Sequence, residues 1–313
     1  MTQPQKQKKH WTVPYFGWSK RTRKNFLTGM LFISPWLIGF LAFSLYPMAA
    51  SFVYSFTEYH AKRPLEWVGL QNYIELLHDD MFWTSLGNTL YMVLIAVPIE
   101  LIVSFICAIL LNLKVAGQSI YRVIYFLPSI VPVVAGTILW LWLLNPQVGL
   151  INTLLGSIGI DGPNWLADPR WSKPALLLLG LWGVGGTIMI YLSGLQDVPL
   201  TLLEAAELDG ASWWQRVWHI TVPMVSPITL FTLITGVIAM FQYFAQAYVF
   251  RGGGELGDPL RSTMFYSVYL FQKGFLFLKI GSASAMAWIL FFIILGCTAL
   301  LLKISGRYTY YAE

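Results

Sequence analysis

Six apolar runs, each long enough to cross a bilayer as a helix, constrain this chain more than any other feature. They cover residues 28–52, 88–111, 123–144, 175–195, 225–249 and 283–303. About 20 apolar residues span the hydrocarbon layer as a helix, and in lipid only a helix or a closed barrel satisfies its own backbone hydrogen bonds. The runs are continuous rather than alternating, which favours helices over a barrel. Only 11% of the 313 residues are charged, against roughly 25% in soluble domains. The sequence therefore predicts an all-α integral membrane protein with six transmembrane helices.

An even number of crossings puts both termini on one side. Lys6, Lys8, Lys9, Lys20, Arg21, Arg23 and Lys24 precede or open the first run, and basic residues flanking a first helix stay cytoplasmic. Residues 1–27 read as a cytoplasmic basic tail and 28–313 as the membrane domain of a multi-pass cell-membrane protein, both termini inside. Of the 20 Lys and Arg residues, 12 then fall inside and 8 outside, so the orientation rests mainly on the tail. The tail does not read as a cleaved signal, because the apolar run behind it is far longer than a signal core.

Several function classes drop out. Cys107 and Cys297 lie inside apolar runs, where free cysteine behaves as a small hydrophobe. His60, His78 and His219 show no metal-ligand spacing. The glycine cluster Gly252 to Gly254 lacks the lysine and Ser/Thr of a phosphate cradle, so no nucleotide site is expected in this chain. No nucleic-acid partner is expected either. Trp140, Trp142, Trp165 and Trp171 fall near predicted helix ends and read as interfacial anchors. The turn-rich segment 145–174 reads as an outer surface or re-entrant segment.

Residues 197–223, DVPLTLLEAAELDGASWWQRVWHITVP, join the fourth and fifth runs and combine strong helix signals with a cluster of acids. Pro199 fits a first turn, and Leu200, Leu203, Ala206 and Glu207 follow at helical spacing. Asp209-Gly210 supplies a stop, because glycine tolerates the left-handed geometry of a helix end. Ser212-Trp213-Trp214-Gln215 matches a capping box. A second short helix follows, carrying Trp213, Trp214, Val217 and Trp218 on a bulky face and breaking near Pro223. Such a helix–turn–helix knob can bury its apolar side only against its own membrane helices or against a partner. Glu204 and Glu207 suggest a basic cleft on that partner.

Glu204-Ala205-Ala206, then Gly210, Ile220 and Pro223 at their intervals, resemble the EAA coupling loop of binding-protein-dependent ABC importer permeases. Four further landmarks follow the order of the MalF-like maltose and glycerol-phosphate permeases. They are Arg122 with Tyr125-Phe126-Leu127-Pro128, Gly149 with Asn152 and Leu155, Gly252-Gly253-Gly254, and Gly281-Ser282-Ala283-Ser284-Ala285. The resemblance covers residues 80–303, with Glu255 standing where a proline usually follows the glycine triplet. It implies the type I ABC importer (MetI-like) permease fold.

By the same resemblance the chain forms half of a pore with a second, different permease subunit. An extracytoplasmic solute-binding protein delivers a sugar or oligosaccharide, and a dimer of ATPase subunits drives the cycle. This chain would then be no enzyme and bind no cofactor, ATP and Mg being used by the partner. Glu204 would enter the ATPase cleft, Ala205 and Ala206 would allow close approach, and Gly210 would permit the bend, with Ile220 and Pro223 completing the motif.

A hydrophilic solute needs its hydroxyls paired where water is sparse, so polar and small residues inside the runs are candidates for its path. These are Trp182, Gly183 and Gly186 in the fourth run, beside Gly185 and Thr187, and Gly236, Gln242, Tyr243 and Gln246 in the fifth. Glutamine can donate and accept toward hydroxyls, and an aromatic face can stack on a sugar ring. Equally, the glycines could serve close helix packing and the glutamines bonds between helices. Glu100, two residues after Pro98, reads as structural, since an ATP-driven importer needs no proton relay. A secondary transporter or channel would explain the runs and Glu100 but not the knob. A membrane enzyme would need acids or histidines converging at one face, and outside the knob the acids are scattered.

Overall fold

The first apolar run forms one long helix. In the computed structural model, which describes residues 20–60, 65–113, 115–250 and 255–306, α1 (Lys20–Phe40) passes through a π-helical turn at Leu41–Leu45 into α2 (Tyr46–Tyr54). The 35 residues are long and apolar enough to cross a membrane. Leu31, Phe32, Trp36 and Phe43 stand exposed along them, as side chains facing lipid do.

From Tyr54 onward the chain forms a second compact unit. It opens with a minimal hairpin, β1 (Thr57–Glu58) antiparallel to β2 (Glu66–Trp67), the one pair of strands in an otherwise helical set of described residues. α3 (Gln71–Leu77) leads to α4 (Asp80–Asn112), a continuous crossing of 33 residues whose first turn is capped by the Asp79 carboxylate accepting from the Met81 N–H. Pro98 sits within α4 without ending it.

The next three runs are not straight. α5 (Gln118–Phe126) continues through a 3-10 turn at Leu127–Ile130 and meets α6 (Val133–Leu143) at 99°. Pro128 and Pro132 bracket the bend, where each lacks the N–H that would carry the helix on. After α7 (Leu150–Ser157), α8 (Pro169–Trp182) and α9 (Gly185–Gln196) meet at 50°, broken at Gly183-Val184. α10 (Leu200–Leu208) and α11 (Trp213–Arg216) form the knob, and a π turn at Val217–Thr221 runs into α12 (Val222–Met224). The segment Trp213–Met224 meets α13 (Ser226–Phe241) at 64°. The expected break near Pro223 therefore falls at Val225, because Pro223 occupies an early helical position where its missing N–H costs nothing.

The fifth run is also shorter than its apolar stretch. α13 stops at Phe241, Gln242 to Phe244 are non-helical, and α14 (Ala245–Phe250) follows. α15 (Tyr266–Phe271), a π turn at Gln272–Leu276 and α16 (Ile280–Ser305), the last continuous crossing, complete the chain. Three helices are long and apolar enough to cross a membrane unbroken, and three bent pairs pass the same test together, which gives up to six crossings, half of them interrupted.

Two apolar clusters organise this unit. Met92, Ala96 and Val97 of α4 pack with Leu176, Phe241, Tyr266 and Met286 in the larger one. Ala108 and Leu111, near the other end of α4, pack with Ile188, Tyr191, Leu195, Val198 and Val225 in the second, with Leu203 and Ile220 of the knob against it. One cluster positions a cavity and the other positions the knob.

Several sequence landmarks prove to be packing devices. Gly281 lies against the Thr57 carbonyl so closely that a Cβ would collide with it, and its N–H reaches the Tyr59 carbonyl at 3.3 Å. Asn72, buried between them, donates to the carbonyls of Ser55 at 3.0 Å and Thr57 at 2.9 Å and accepts from Ser282 at 3.2 Å. Asn152 of α7 donates to the Pro163 carbonyl at 3.1 Å and accepts from the Trp165 indole at 2.7 Å. Trp165 is thus buried in the 145–174 segment rather than anchored at an interface, whereas Trp142 is exposed. Arg251, Gly252 to Gly254, Lys114, Arg307 and the tail lysines Lys6, Lys8 and Lys9 lie outside the described residues.

Candidate functional sites

The knob is built by short-range rules. α10 ends in a Schellman turn: the Ala211 N–H bonds the Ala206 carbonyl at 2.9 Å, the Gly210 N–H bonds the Glu207 carbonyl at 3.0 Å, and Gly210 adopts φ +78°. α11 then starts with both halves of the capping box, Gln215 N–H to the Ser212 hydroxyl at 3.4 Å and Ser212 N–H to the Gln215 side chain at 2.7 Å. Both features match the expectation from the sequence. An Arg216–Glu207 ion pair at 2.7 Å braces the two helices against each other. Glu207 therefore has a partner within the chain and does not await one, a pairing hidden from sequence because Arg216 lies nine residues away, across the turn.

Glu204 is exposed, and no described residue pairs with its carboxylate. Ala205 is exposed beside it, while Ala206, Ile220 and Pro223 are half-buried. The knob buries Val217 and leans Leu203 and Ile220 on the ends of the membrane helices. It leaves Leu200, Leu202, Trp213, Trp214 and Trp218 exposed, with Leu208 at 90%. Exposed apolar side chains grouped around an unpaired acid make a surface suited to a protein partner.

The second feature is a cavity of about 630 Å³ between α4, α9, α13 and the irregular link Gln242 to Phe244. Five sequence candidates, Thr187, Gly236, Gln242, Tyr243 and Gln246, line it, joined by Glu100, Thr232 and Thr235. The helix break at Gln242 brings its amide and the Tyr243 ring to the same wall. The Glu100 carboxylate lies against Gly180, whose place no residue with a Cβ could take while that carboxylate stays put.

The other four candidates, Trp182, Gly183, Gly185 and Gly186, do not line this cavity. Trp182 stacks edge-on against Trp140, with 6.3 Å between ring centroids, and packs over Gly136. Gly183 closes α8, its N–H on the Gly180 carbonyl at 2.9 Å, and Gly186 faces open space. Neighbouring Gly185 serves close packing, since a Cβ there would strike the backbone of Tyr125 and Phe126 at the end of α5. Sequence reasoning set Glu100 aside as structural and did not single out Thr232 and Thr235. Their spacing of three on α13, one face of one helix, was the available signal.

A polar cluster ties α4 to α15. The Asp79 carboxylate accepts from the Tyr269 hydroxyl and pairs with Lys273 at 2.9 Å, and the Lys273 ammonium also lies 5.1 Å from the Tyr269 ring centroid. Partial burial pushes the Asp79 carboxyl up. The bonds from Tyr269, Lys273 and the Met81 N–H outweigh that and hold it below the usual aspartate value of 3.8.

Broken membrane crossings around a polar cavity, with a helical knob beside them, make an arrangement suited to a transport permease. The comparisons with known proteins agree. Residues 100–307 match the family described as the binding-protein-dependent transport system inner membrane component, and the chain belongs to that family. It is 40% identical over 296 residues to a probable ABC transporter permease, YesP, of Bacillus subtilis (strain 168), covering 94% of this chain and 95% of the relative. It is 34% identical over 263 residues to the lactose transport system permease LacF of Rhizobium radiobacter, covering 83% and 87%. Its fold resembles a chain of a bacterial alginate ABC transporter solved with an alginate pentasaccharide-bound periplasmic protein. There the TM-score is 0.80 at 23% identity, over 95% of this chain and 99% of that one. The protein is a multi-pass membrane permease with the ABC importer fold.

Proposed function

We propose that this chain forms half of the pore of an importer for a sugar or oligosaccharide and receives its driving force at the knob, residues 197–223. A separate pair of ATPase subunits hydrolyses Mg-bound ATP, and this chain binds no cofactor of its own. A second permease subunit of different sequence completes the pore, and an extracytoplasmic binding protein delivers the solute. Both termini lie in the cytoplasm, with residues 1–27 as a basic tail and the importer core over residues 80–303.

The observation that carries this reading is the knob: an exposed, unpaired Glu204 with exposed Leu200 and Leu208 one turn to either side of it, on a helix pair joined by a Schellman turn and a capping box. Glu204 would pair with a cation in the ATPase cleft, and Ala205 beside it lets that surface come close. Leu203 and Ile220 hold the knob to the membrane helices, so a push on α10 would reach α9 and α13 through the apolar cluster around Val225. Rigid-body switching of this kind opens a transporter to alternate sides. A sugar path along the cavity fits its Gln, Thr and Tyr side chains, and the named relatives include a lactose permease.

Co-purification in detergent tests the reading. The tagged chain should bring down an ATPase subunit, and Glu204→Ala should lose it or uncouple its ATP hydrolysis from solute uptake. Uptake driven by a proton gradient with no ATPase bound, or a Glu204→Ala complex that keeps both its ATPase and its ATP-coupled uptake, would overturn it.

A further inference from the structure

No Asp, Glu, Lys, Arg or His occurs from Val123 to Ile160, although α6 closes at Leu143. The uncharged stretch continues through α7, which is amphipathic. Ile151 and Leu155 pack against the larger apolar cluster, whereas Leu150, Leu154 and Ile158, at four-residue steps, stand exposed on the other face. Val134, Ile138 and Trp142 are exposed at the same spacing along α6, and Val148 in the link is 81% exposed. Both hydroxyls of α7 are spent on neighbouring backbone, Thr153 donating to the Gly149 carbonyl at 2.9 Å and Ser157 to the Leu154 carbonyl at 2.7 Å. Its one amide, Asn152, turns inward to Pro163 and Trp165, with Gly162 so near that a Cβ there would strike it. Taken as one bent crossing, α8 and α9 separate α7 from the knob and place it at the opposite face of the membrane.

We propose that α7 lies along the boundary between headgroups and acyl chains on that face, with Leu150, Leu154 and Ile158 turned to phospholipid. Water is a poor neighbour for such a surface, because large contiguous apolar patches are rare on faces that meet solvent. A second protein is a poor one too. Specific interfaces carry about one hydrogen bond per 100–200 Å², and this face offers no free donor or acceptor side chain. Lipid asks for none. Interfacial helices commonly set a basic face against an apolar one. Here the opposite face is occupied by protein, so the hold comes from apolar area and from the Trp142 ring, which suits the headgroup layer, and not from lipid charge. Through Asn152 that hold reaches the segment before α8 and steadies the link between two bent crossings.

The test uses the full chain assembled with its partner subunits in nanodiscs of phosphatidylcholine and phosphatidylglycerol. Leu154→Cys and Ile158→Cys, each with Cys107 and Cys297 replaced by alanine, carry an environment-sensitive NBD fluorophore on the exposed face. Asp161→Cys, at the exposed first charge after the stretch, serves as the comparator in water. Emission from the two α7 probes should be shifted to the blue of the Asp161 probe, and iodide should quench them several-fold less. A nitroxide high on the lipid acyl chain should quench them more than one near the chain end, as burial by about 5–10 Å requires. Iodide quenching equal to that at Asp161 would put the face in water and overturn the proposal. Blue-shifted emission that resists iodide and both nitroxide lipids would mean that a protein covers it, and stronger quenching by the deep nitroxide would put α7 inside the hydrocarbon layer; either result overturns the proposal as well. If Leu154→Cys fails to assemble, Ile158→Cys, just past the helix end, decides alone.

Discussion

Substituting Gly210 separates backbone geometry from surface contact at the knob. The residue sits at φ +78° directly after α10, and nothing stands within 4 Å of where a Cβ would be placed. A side chain there meets no clash within the chain, so its cost is the left-handed backbone alone, about 1–2 kcal/mol for a residue with a Cβ. Asparagine pays least because its short polar side chain bonds locally in that region, and a β-branched residue pays most. At about 1.4 kcal/mol per factor of ten, the upper figure lowers the population of the turned knob by at most about thirtyfold. Solute uptake by the assembled importer in proteoliposomes should therefore fall in the order Gly, Asn, Ala, Val, while the variants still insert into the membrane. Wild-type uptake by Gly210→Val would refute the role of the turn. Slower uptake by Gly210→Asn than by Gly210→Ala would show that side-chain bulk against a partner matters there, not the backbone.

Three further outcomes can be measured. Glu207→Ala or Arg216→Ala should cost at most about 1 kcal/mol in thermal unfolding, because the pair is largely exposed on the Glu207 side; any uptake lost in the single variants should return in the exchanged pair Glu207→Arg with Arg216→Glu. Asn72→Ala removes two buried hydrogen bonds between α3 and the start of the second unit and should destabilise the detergent-solubilised protein by about 1–3 kcal/mol, read as a lowered midpoint of unfolding. Asp79 has a folded-state value below its ordinary 3.8, so its pairing with Lys273 contributes stability that is fully present above about pH 3.8 and lost as pH falls further through the folded value. Asp79→Asn should flatten that acid limb of a pH-dependent unfolding series while leaving the neutral region shifted by a constant amount.

What could be read from the sequence was whatever depends on neighbours along the chain. Apolar run length gave the six crossings, since the need to satisfy backbone hydrogen bonds in lipid acts on each segment by itself. The stop at Gly210 and the capping box at Ser212 and Gln215 follow from residues within four positions of each other. Tertiary structure decided what depends on angles between segments. The bends at Val131-Pro132, Gly183-Val184 and Val225 send Trp182, Gly183 and Gly186 away from the cavity. They also bring Glu100 of α4 together with Thr187 of α9, Thr235 of α13 and Tyr243 beyond it. The Glu207–Arg216 brace arises in the same way, across a turn. Periodicity fixes which face of a helix is apolar, but the convergence of polar groups on one wall is set by the packing of several broken helices, and no single stretch of sequence encodes those angles.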